Sequence, residues 1–387
     1  MKKIVYVTGS RAEYGIMKNL LLALDKESGI DLTIVATGMH CEKKYGETYK
    51  IIEKDGLSIS RLIPIDINTE NNAAILKSMS VCQLEFGKFF ENNKFDAVIL
   101  LGDRYEIFSV AIAAAMNNLP IIHIHGGEKT LGNYDEFIRH SITKMSKLHL
   151  ASTEIYRQRI IQLGEKPSTV FYVGAMGAEN ALSMPLPNKS ELIKRFGEMT
   201  KPYFMVVYHP ETLSDQAPEL QFDNLLTALA NYTHKYDFIF IGSNSDTGSD
   251  KITKRTLGFC EKYSSKYLVS VTVEDYLALN KYSKGLIGNS SSGLIEVPSF
   301  KIPTINIGNR QAGRVRGRSV IDVPCDTAKI LEAIELSQQK EFECILKSDN
   351  NPYYKKDSMR KSLDLIKIFL ASNFGEEVKD FYDLKLN

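Results

Sequence analysis

The chain has 387 residues, of which 43% are hydrophobic and 25% are charged, and its formal net charge is +1. Length and composition predict two or three ordinary globular domains, and the near-zero net charge excludes a global field that would attract nucleic acid or an acidic membrane surface. Five scattered cysteines without a CxxC pair, and apolar runs far shorter than the ~20 residues that span a bilayer, predict a cytoplasmic protein without disulfides, membrane partners or a thiolate zinc site.

Short runs rich in β-branched residues alternate with longer helical patterns along the whole chain, which predicts βαβ units and parallel sheets. In the first half we expect strands at 4–8, 32–36, 97–101 and 121–124 and helices near 12–26, 72–92, 105–117 and 135–146. In the second half we expect strands at 203–208, 238–241, 267–271, 285–287 and 304–307 and helices near 217–232, 248–264, 274–282 and 292–297. The predicted fold class is α/β, with two Rossmann-like, doubly wound domains that face a cleft.

A stretch rich in glycine and proline separates the two sets of elements. It contains Gly-Ala-Met-Gly at 174–177 and Met-Pro-Leu-Pro-Asn at 184–188, and we take it as the domain linker. The predicted domains are therefore 1–175 and 176–387, with a final helix, about 353–371, that could cross back to the first domain. Ligands of doubly wound sheets bind at the carboxyl ends of the strands, so both sets of strand ends are expected around one cleft.

The first candidate site is the loop TGSRAEYG at 8–15, which joins the first strand to the first helix. Its glycines are six apart with no third, and no Lys-Ser/Thr follows Gly15, so the loop is neither a dinucleotide fingerprint nor a Walker loop. A glycine turn before a helix still offers N–H groups to an anion, and Arg11 adds a planar fork suited to phosphate. The alternative is a tight turn with Arg11 exposed to solvent.

Asp103, in the segment LGDRYE at 101–106, directly follows a buried strand and a glycine. This place is the rim of the sheet, where catalytic groups collect, and Asp103 is therefore a candidate catalytic carboxylate. The structural alternative is that Asp103 caps the helix that begins near Tyr105. The two roles are compatible.

The segment from 123 to 140 is the densest in titratable groups. His123 and His125 alternate at a strand end, and two glycines then bring Glu128 close. Asp135 and Arg139 are four residues apart on the next helix, so they share a face and can act on one ligand; the alternative is a solvated surface pair. His-x-His alone is a weak metal signal, and we expect no metal here but a group of acids and bases that work near neutral pH.

The second half repeats this arrangement of polar residues after strands. His209 follows one predicted strand and mirrors His125 across the proposed cleft, although a lone histidine is more often a structural residue. Another predicted strand leads into the polar loop 242–248, which offers Asn244 and Asp246 to a ligand. These residues are candidates for one side of a substrate site.

The most informative stretch, GNSSSGLIE at 288–296, follows a strand and opens a short helix. Its hydroxyls and free N–H groups form a neutral, directional anion cradle that suits a diphosphate, and Glu296 could accept hydrogen bonds from ribose hydroxyls. Four arginines then lie among glycines between 308 and 318, and an anionic partner explains them most simply. The candidate substrate-binding residues here are Ser290, Ser291, Ser292, Glu296, Arg310 and Arg314.

Eight segments, taken in order, resemble the UDP-N-acetylglucosamine 2-epimerase family, and more closely its hydrolysing branch, which makes N-acetylmannosamine for bacterial sialic acid synthesis. They are TGSRAEYG at 8–15, TGMH at 37–40, LGDRYE at 101–106, HGGE at 125–128, DEFIRHSITKMSKLHL at 135–150, HPET at 209–212, SNSDTGS at 243–249 and GNSSSGLIEVP at 288–298. The likeness covers nearly the whole chain, and such an ordered set is far more specific than any single motif.

The resemblance implies a GT-B-like pair of Rossmann domains, of which the second binds UDP, and it implies no cofactor. The implied reaction removes the C2 proton, eliminates UDP in the anti sense to leave 2-acetamidoglucal, and hydrates this alkene to N-acetylmannosamine. The implied residue roles are catalytic carboxylates for Asp103 and Asp135, catalytic-site residues for Arg139 and His209, and phosphate and uridine-ribose contacts for Ser290 and Glu296. The family also implies a homodimer.

His125 departs from the family pattern, since many members carry Glu at this position, in His-Ile-Glu-Gly-Gly. The proton transfer at C2 therefore has two candidates, His125 itself and Glu128. The branch also contains enzymes for a 2,4-diacetamido-trideoxy UDP-sugar of legionaminic acid synthesis, which is an alternative substrate. A GT-B glycosyltransferase, which would share Glu296, is another alternative, and the crowd of titratable groups argues against a sensor that only binds nucleotide sugars.

Overall fold

The computed structural model describes residues 1–372, 375 and 377–384, and in this part the first half of the chain forms a parallel sheet of seven strands. The strands are β1 (Lys2–Thr8), β2 (Ile30–Thr37), β3 (Ile59–Ile63), β4 (Ala97–Leu101), β5 (Ile121–Ile124), β6 (Leu148–Ala151) and β7 (Val170–Tyr172). Their order across the sheet is β3-β2-β1-β4-β5-β6-β7. We call this sheet with its helices the first domain.

The second half builds a six-stranded parallel sheet within the same described residues. The strands are β8 (Tyr203–Val207), β9 (Asp237–Ile241), β10 (Lys266–Leu268), β11 (Leu286–Gly288), β12 (Thr304–Ile307) and β13 (Val320–Val323). The order β10-β9-β8-β11-β12-β13 is the doubly wound order 3-2-1-4-5-6 of dinucleotide-binding folds. We call this sheet with its helices the second domain.

Helices connect the parallel strands and cover both sheets. They are α1 (Arg11–Asp25), α2 (Tyr49–Lys54), α3 (Asn72–Asn92), α4 (Tyr105–Met116), α5 (Asp135–Met145), α6 (Glu154–Gln162), α7 (Met176–Ser183), α8 (Lys189–Phe196), α9 (Pro218–Ala230), α10 (Ser249–Tyr263), α11 (Val273–Lys281), α12 (Ser292–Ile295), α13 (Thr327–Ser337), α14 (Lys340–Ser348) and α15 (Ser358–Ala371). Within the described residues, none of these helices has the length and apolar character that a bilayer crossing requires.

Burial explains why the central strands are continuous apolar runs. All residues of β4 and of β8 are buried, because helices pack on both faces of each sheet, and a parallel strand covered on both faces needs apolar side chains on both. The α/β class with two doubly wound domains is thereby confirmed. The strands β3, β6, β7 and β13 were absent from the sequence prediction.

The last helix packs on the first domain although its chain leaves from the second. Ile366, Phe369 and Leu370 of α15 belong to the same apolar core as Leu20 and Leu21 of α1. The predicted linker is not irregular throughout, because α7 occupies its middle. The domain boundary between residues 175 and 176 stays a prediction.

The strand order places four loops where ligands of such sheets bind. In the first sheet the order reverses at β1, so the loops after β1 and β4 flank the reversal; in the second sheet the loops after β8 and β11 do the same. Open α/β sheets bind ligands in the crevice at this point, outside the carboxyl ends of the strands. All four loops line one cleft between the domains.

Candidate functional site

The cleft between the two domains brings together fourteen of the fifteen residues that the sequence predicted for the site. They are Arg11, Asp103, His125, Glu128, Asp135, His209, Asn244, Asp246, Ser290, Ser291, Ser292, Glu296, Arg310 and Arg314. Arg139 lies directly behind this wall, where it is fully buried. Both domains contribute to the cleft, so a ligand held there would contact both.

Arg139 forms the structural centre of the first-domain wall. Its guanidinium donates to the main-chain oxygen of Glu128 (2.9 Å), to the hydroxyl of Thr130 (3.1 Å) and to the carboxylate of Asp103. The alternative of a solvated pair between Asp135 and Arg139 is therefore wrong, because α5 turns Arg139 inward. The capping alternative for Asp103 is wrong too, since α4 is preceded by Arg104 without a side-chain cap.

Two carboxylates of this wall have pKa values displaced in opposite directions. Burial raises the pKa of Asp103, but Arg139 and Arg314 outweigh burial and hold this pKa below its usual range. Burial, with the negative charge of Asp103, raises the pKa of Asp135 to about 7, although Arg310 opposes it. At neutral pH Asp103 is therefore ionised and Asp135 can carry a proton. Such a pair is suited to acid and base roles.

His125 occupies a strained position at the end of β5. Its φ of 66° lies in the left-handed region, which non-glycine residues adopt at a cost of about 1–3 kcal/mol and mainly at functional sites. Burial lowers the pKa of His125, an effect that the nearby Glu128 partly opposes. The imidazole is therefore neutral at pH 7, and its buried Nε2 has no hydrogen-bond partner. This nitrogen is available to a substrate.

Glu128, the other candidate for the C2 proton, is already engaged through both carboxylate oxygens. Oε1 accepts a hydrogen bond from the Ser152 hydroxyl (2.7 Å), and Oε2 lies 2.8 Å from Nη2 of Arg314. The residue is buried, and its Oε1 is 3.7 Å from Nδ1 of His125. Both oxygens of Glu128 are therefore occupied by neighbouring side chains, whereas Nε2 of His125 is not.

His209 is fixed on the opposite wall by the loops around it. The Asn244 N–H donates to Nδ1 of His209 (3.1 Å), and the Asn289 side chain bonds both main-chain groups of His209. Burial lowers the pKa of His209 well below its usual range. Because Nδ1 accepts, the neutral ring carries its proton on Nε2. His209 is thus a neutral hydrogen-bond donor at the cleft.

The serine-rich turn after β11 presents its hydroxyls to the cleft. Ser292 Oγ lies 2.5 Å from the Tyr276 hydroxyl and 3.0 Å from Ser290 Oγ. The guanidinium of Arg11 lies over the ring of Tyr276, 5.5 Å from its centroid, so Arg11 is not the solvent-exposed turn residue of the alternative. Hydroxyls and a guanidinium from opposite domains therefore converge here, as an anion site requires.

Glu296 lies at the back of the same region, where its Oε2 is buried and has no partner. Burial raises the pKa of Glu296 to about 7, although Arg314 and Arg11 oppose this. Its other oxygen packs against Gly177 of α7, where any side chain would collide with it. The presence of Gly177 in the predicted linker was the only sequence signal for this contact.

Residues 308–318, which we call the arginine loop, direct only some of their arginines to the cleft. Nη2 of Arg310 lies 3.5 Å from Asp135, and Arg314 pairs with Glu128. Arg316 pairs instead with Asp322 outside the cleft, and Arg318 is exposed. The sequence cluster of four arginines therefore supplies two to the site.

Sequence reasoning missed several cleft residues that carry charge or hydrogen bonds. Arg104, next to Asp103, bonds Glu106 (2.5 Å) in its own domain and the Ser245 hydroxyl (2.6 Å) in the second. Glu13 also lines the cleft, and burial raises its pKa to about 8. Arg104 belongs to the segment LGDRYE at 101–106. Its position directly after Asp103 was the sequence signal that could have identified it as a cleft residue.

Buried polar atoms without a partner are concentrated in this cleft among the described residues. Those that belong to residues lining the cleft are Nε of Arg11, Oε1 of Glu13, Nε2 of His125, Oδ2 of Asp246, Oε2 of Glu296, Nε of Arg310, Oε1 of Gln311, and Nε and Nη1 of Arg314. Native proteins pair nearly all buried polar groups, so such a concentration marks a ligand site. In the same described part of the chain, no group of three or more His, Cys, Asp or Glu residues could hold a metal ion. The expected absence of a metal stays a prediction.

The fold and the cleft define a GT-B-like, two-domain enzyme class that handles ligands between two Rossmann domains. The family model described as UDP-N-acetylglucosamine 2-epimerase matches residues 22–367. The chain belongs to this family.

Individual relatives agree with this assignment. The chain is 59% identical over 384 residues to "Polysialic acid biosynthesis protein P7" of Escherichia coli, which covers 99% of this chain and 98% of that protein. It is 38% identical to "GDP/UDP-N,N'-diacetylbacillosamine 2-epimerase (hydrolyzing)" of Campylobacter jejuni, over 88% of this chain and 89% of that protein. The crystal structure of a UDP-GlcNAc 2-epimerase from Neisseria meningitidis has the same fold, with a TM-score of 0.77, 16% identity, and coverage of 95% and 100%.

Proposed function

We propose that this protein is a hydrolysing 2-epimerase that converts UDP-N-acetylglucosamine and water into N-acetylmannosamine and UDP, for sialic acid synthesis. The observation that carries the proposal is the pairing, in one cleft, of proton-transfer groups on the first-domain wall with anion-binding groups that come mainly from the second domain and are joined by Arg11 of the first. The hydrolysing branch and the polysialic acid context are supported by the names of the relatives from Campylobacter jejuni and Escherichia coli. No cofactor takes part in the proposed chemistry.

The anion-binding groups are assigned to the diphosphate and the ribose of UDP. Arg11, Arg310 and Arg314 supply the positive charge, and the hydroxyls of Ser290, Ser291 and Ser292 supply directional donors. Glu296 accepts from the ribose hydroxyls, and Asn244 and Asp246 complete the second-domain wall. Guanidinium groups stabilise the negative charge that develops on UDP as the C1–O bond breaks, and this stabilisation promotes elimination.

The proton-transfer groups are assigned to C2 of the sugar. His125 takes the C2 proton on its free Nε2 as UDP departs, and the ionised Asp103 stabilises the imidazolium that forms. Asp135 holds a proton near neutral pH and delivers it to C2 of 2-acetamidoglucal from the opposite face, while water adds at C1 and gives up one proton to Asp135. His125 then releases the original C2 proton to solvent. Arg139 and Glu128 hold these groups in place, and His209 donates to the substrate from the other wall.

The test is to incubate the protein in D₂O with UDP-N-acetylglucosamine, without an acceptor and without a nicotinamide. We expect release of UDP together with N-acetylmannosamine that carries deuterium at C2, because the C2 proton of the product comes from solvent. Mass spectrometry and proton NMR of the freed sugar give both answers. A product without deuterium at C2 would falsify the proton-transfer assignment.

The same assay separates the alternatives. A UDP-2,4-diacetamido-trideoxyglucose substrate, which the name of the Campylobacter relative favours, would be consumed at a higher kcat/KM than UDP-N-acetylglucosamine. A GT-B glycosyltransferase would release UDP rapidly only after addition of an acceptor. We propose the cytoplasm as the location, since all five cysteines are free thiols.

We further propose a homodimer, formed through the outer face of α3, α4 and α5. α4 lies between the other two helices. Its one charged residue, Glu106, is buried and leaves the outer face of α4 without a charge. The outer face of this layer exposes Leu76 and Leu84 of α3, Met116 of α4 and Phe137 of α5. Exposed apolar side chains on one layer of helices are typical of an interface, and a face that pairs with its own copy closes a two-fold dimer.

Met116→Glu is expected to dissociate this dimer, because it places a charge from each copy in an apolar interface. Light scattering at micromolar concentration should give twice the mass of the chain for the unaltered protein and the mass of one chain for the variant. Leu257→Glu, at an exposed leucine of α10, is the control and should stay dimeric. An unaltered protein that is monomeric, or a Met116→Glu variant that stays dimeric, excludes this interface.

A further inference from the structure

Two buried tyrosine hydroxyls lie behind the cleft, and the proposed chemistry does not use them. Tyr156 belongs to α6, and Tyr353 lies in the segment that carries the chain back to the first domain. Neither side chain is exposed, and their hydroxyl oxygens are 2.8 Å apart. A buried hydroxyl normally has a hydrogen-bond partner for its proton and its lone pairs, so the direction of each bond can be followed.

The two hydroxyls form a closed ring of hydrogen bonds with one residue of the arginine loop. The N–H of Val315 donates to the Tyr156 hydroxyl (2.8 Å), and the Tyr353 hydroxyl donates to the carbonyl oxygen of Val315 (2.8 Å). The remaining proton, on Tyr156, is then donated to the oxygen of Tyr353. Both main-chain groups of Val315 are thus held by side chains from other parts of the chain.

Val315 directly follows Arg314. The ring therefore fixes the backbone beside Arg314, the arginine that pairs with Glu128 on the first-domain wall. Nη2 of Arg314 lies 2.8 Å from Glu128 and 3.9 Å from Asp103. Two other nitrogens of Arg314 are buried without a partner and are free to bond a ligand. A long side chain amplifies small backbone shifts, and a misplacement of about 1 Å at a reacting site can cost about 10²-fold in rate.

The ring also connects three separate parts of the molecule. α6 follows Ser152, whose hydroxyl donates to Glu128. The main-chain oxygen of Tyr353 accepts from Ala175 (2.9 Å) near the start of α7, and the neighbouring Asn351 donates to the oxygen of Ile295 (2.7 Å), next to Glu296. The hydroxyls therefore tie the arginine loop of the second domain to supports of both catalytic and ribose-binding groups.

We propose that Tyr156 and Tyr353 are positioning residues that hold Arg314 in place between the two domains for departure of the diphosphate. This inference rests on the proposed function, in which Arg314 contacts the diphosphate. Apolar packing alone would be satisfied by phenylalanine at both positions. The hydroxyls are required only because Val315 needs a donor and an acceptor inside the protein.

Tyr353→Phe tests the inference, and the readout is whether its effect passes through Arg314. When Tyr353→Phe is the only substitution, we expect it to lower both kcat and the affinity for UDP by about tenfold. In an Arg314→Gln background the same change should alter either quantity by less than about twofold, because residues that act through one another are non-additive. UDP affinity is measured by calorimetry and kcat by UDP release, so the cycle can be completed on binding alone.

Tyr203→Phe is the matched control, since it removes another buried hydroxyl that donates to a main-chain oxygen, that of Leu279 (2.7 Å), in the core of the second domain. Both Phe variants should lose similar thermal stability, while only Tyr353→Phe loses activity and UDP affinity. The inference would be overturned if Tyr353→Phe lowered kcat and UDP affinity equally with and without Arg314. It would also be overturned if the Tyr353→Phe variant were as active as Tyr203→Phe. An unaltered protein that binds UDP but does not convert UDP-N-acetylglucosamine contradicts the proposed function instead, and the binding cycle then still tests the tyrosines.

Discussion

Asp103→Asn is expected to lower kcat by about 10³-fold, within the range that a positioned acid–base group contributes, while UDP binds as well as before or better. Asparagine keeps the shape of the side chain and can still accept from Arg139, but it removes the negative charge that stabilises a protonated His125. The loss of this charge leaves Arg139 and Arg314 less neutralised, so the diphosphate experiences a more positive cleft. Steady-state UDP release gives kcat, and calorimetry gives the dissociation constant of UDP.

Glu296→Gln is the reciprocal variant and separates binding from catalysis. This variant loses a charge-assisted hydrogen bond to the ribose, so UDP should bind about tenfold or more weakly. Saturating substrate should restore much of the rate. Opposite patterns in the two variants are the expected outcome. If Asp103→Asn lost UDP affinity as Glu296→Gln does, Asp103 would be a ligand-positioning residue rather than a member of the proton-transfer set.

The predictable part of the fold was the part whose strands are buried on both faces, with the exception of β6, which is fully buried but only four residues long and has His149 within its apolar run. β1, β4 and β8 are continuous apolar runs between helices, and the sequence therefore located them within two residues. β3, β7 and β13 lie at sheet edges, are three to five residues long, and are mostly half-buried or exposed. Such short edge strands have neither the apolar run of a central strand nor a clear alternation, so the pattern did not reveal them.

The candidate site was largely predictable because one topological rule gathers its parts. Polar residues that follow buried parallel strands must lie at the same edge of the sheet, and this rule alone places Asp103, His125 and His209 at the cleft. It cannot tell which face of a following helix turns inward, so Arg139 was expected beside Asp135 and is found bonded to Asp103. The roles of all these residues stay predictions.

Contacts between the domains could not be predicted, because they join residues that are far apart in sequence. Lys18 of α1 bridges Asp55 and Glu274 of α11, at 2.6 Å from each carboxylate, and the main-chain N–H of Gly248 donates to Thr69. No periodicity or motif encodes these pairs, since each depends on how two separately folded sheets dock. The hydrogen bond from Arg104 to Ser245 is another such contact between the domains, and Arg104 directly follows Asp103 in the chain.

Arg139→Met is expected to abolish activity and to lower the free energy of unfolding of the first domain by about 3–5 kcal/mol, the usual loss when one partner of a buried ion pair is removed. Methionine fills much of the space of the arginine but leaves the carboxylate of Asp103 without its main counter-charge. Thermal and urea unfolding measure the loss. Arg157→Met on α6, which removes a partly exposed guanidinium bonded to Val170 and Glu154, is the control and should cost about 1 kcal/mol or less.

The double variant Asp103→Asn/Arg139→Met shows whether charge is the cause. If the single variant is unstable because Asp103 keeps an unpaired charge, then removing this charge must recover part of the loss, and the double variant will be more stable than Arg139→Met alone. If instead Arg139 stabilises the wall mainly through the oxygen of Glu128 and the hydroxyl of Thr130, the second substitution will recover nothing. A double variant as unstable as Arg139→Met would therefore assign the stabilisation to these hydrogen bonds, and the depressed pKa of Asp103 would matter for catalysis rather than for folding.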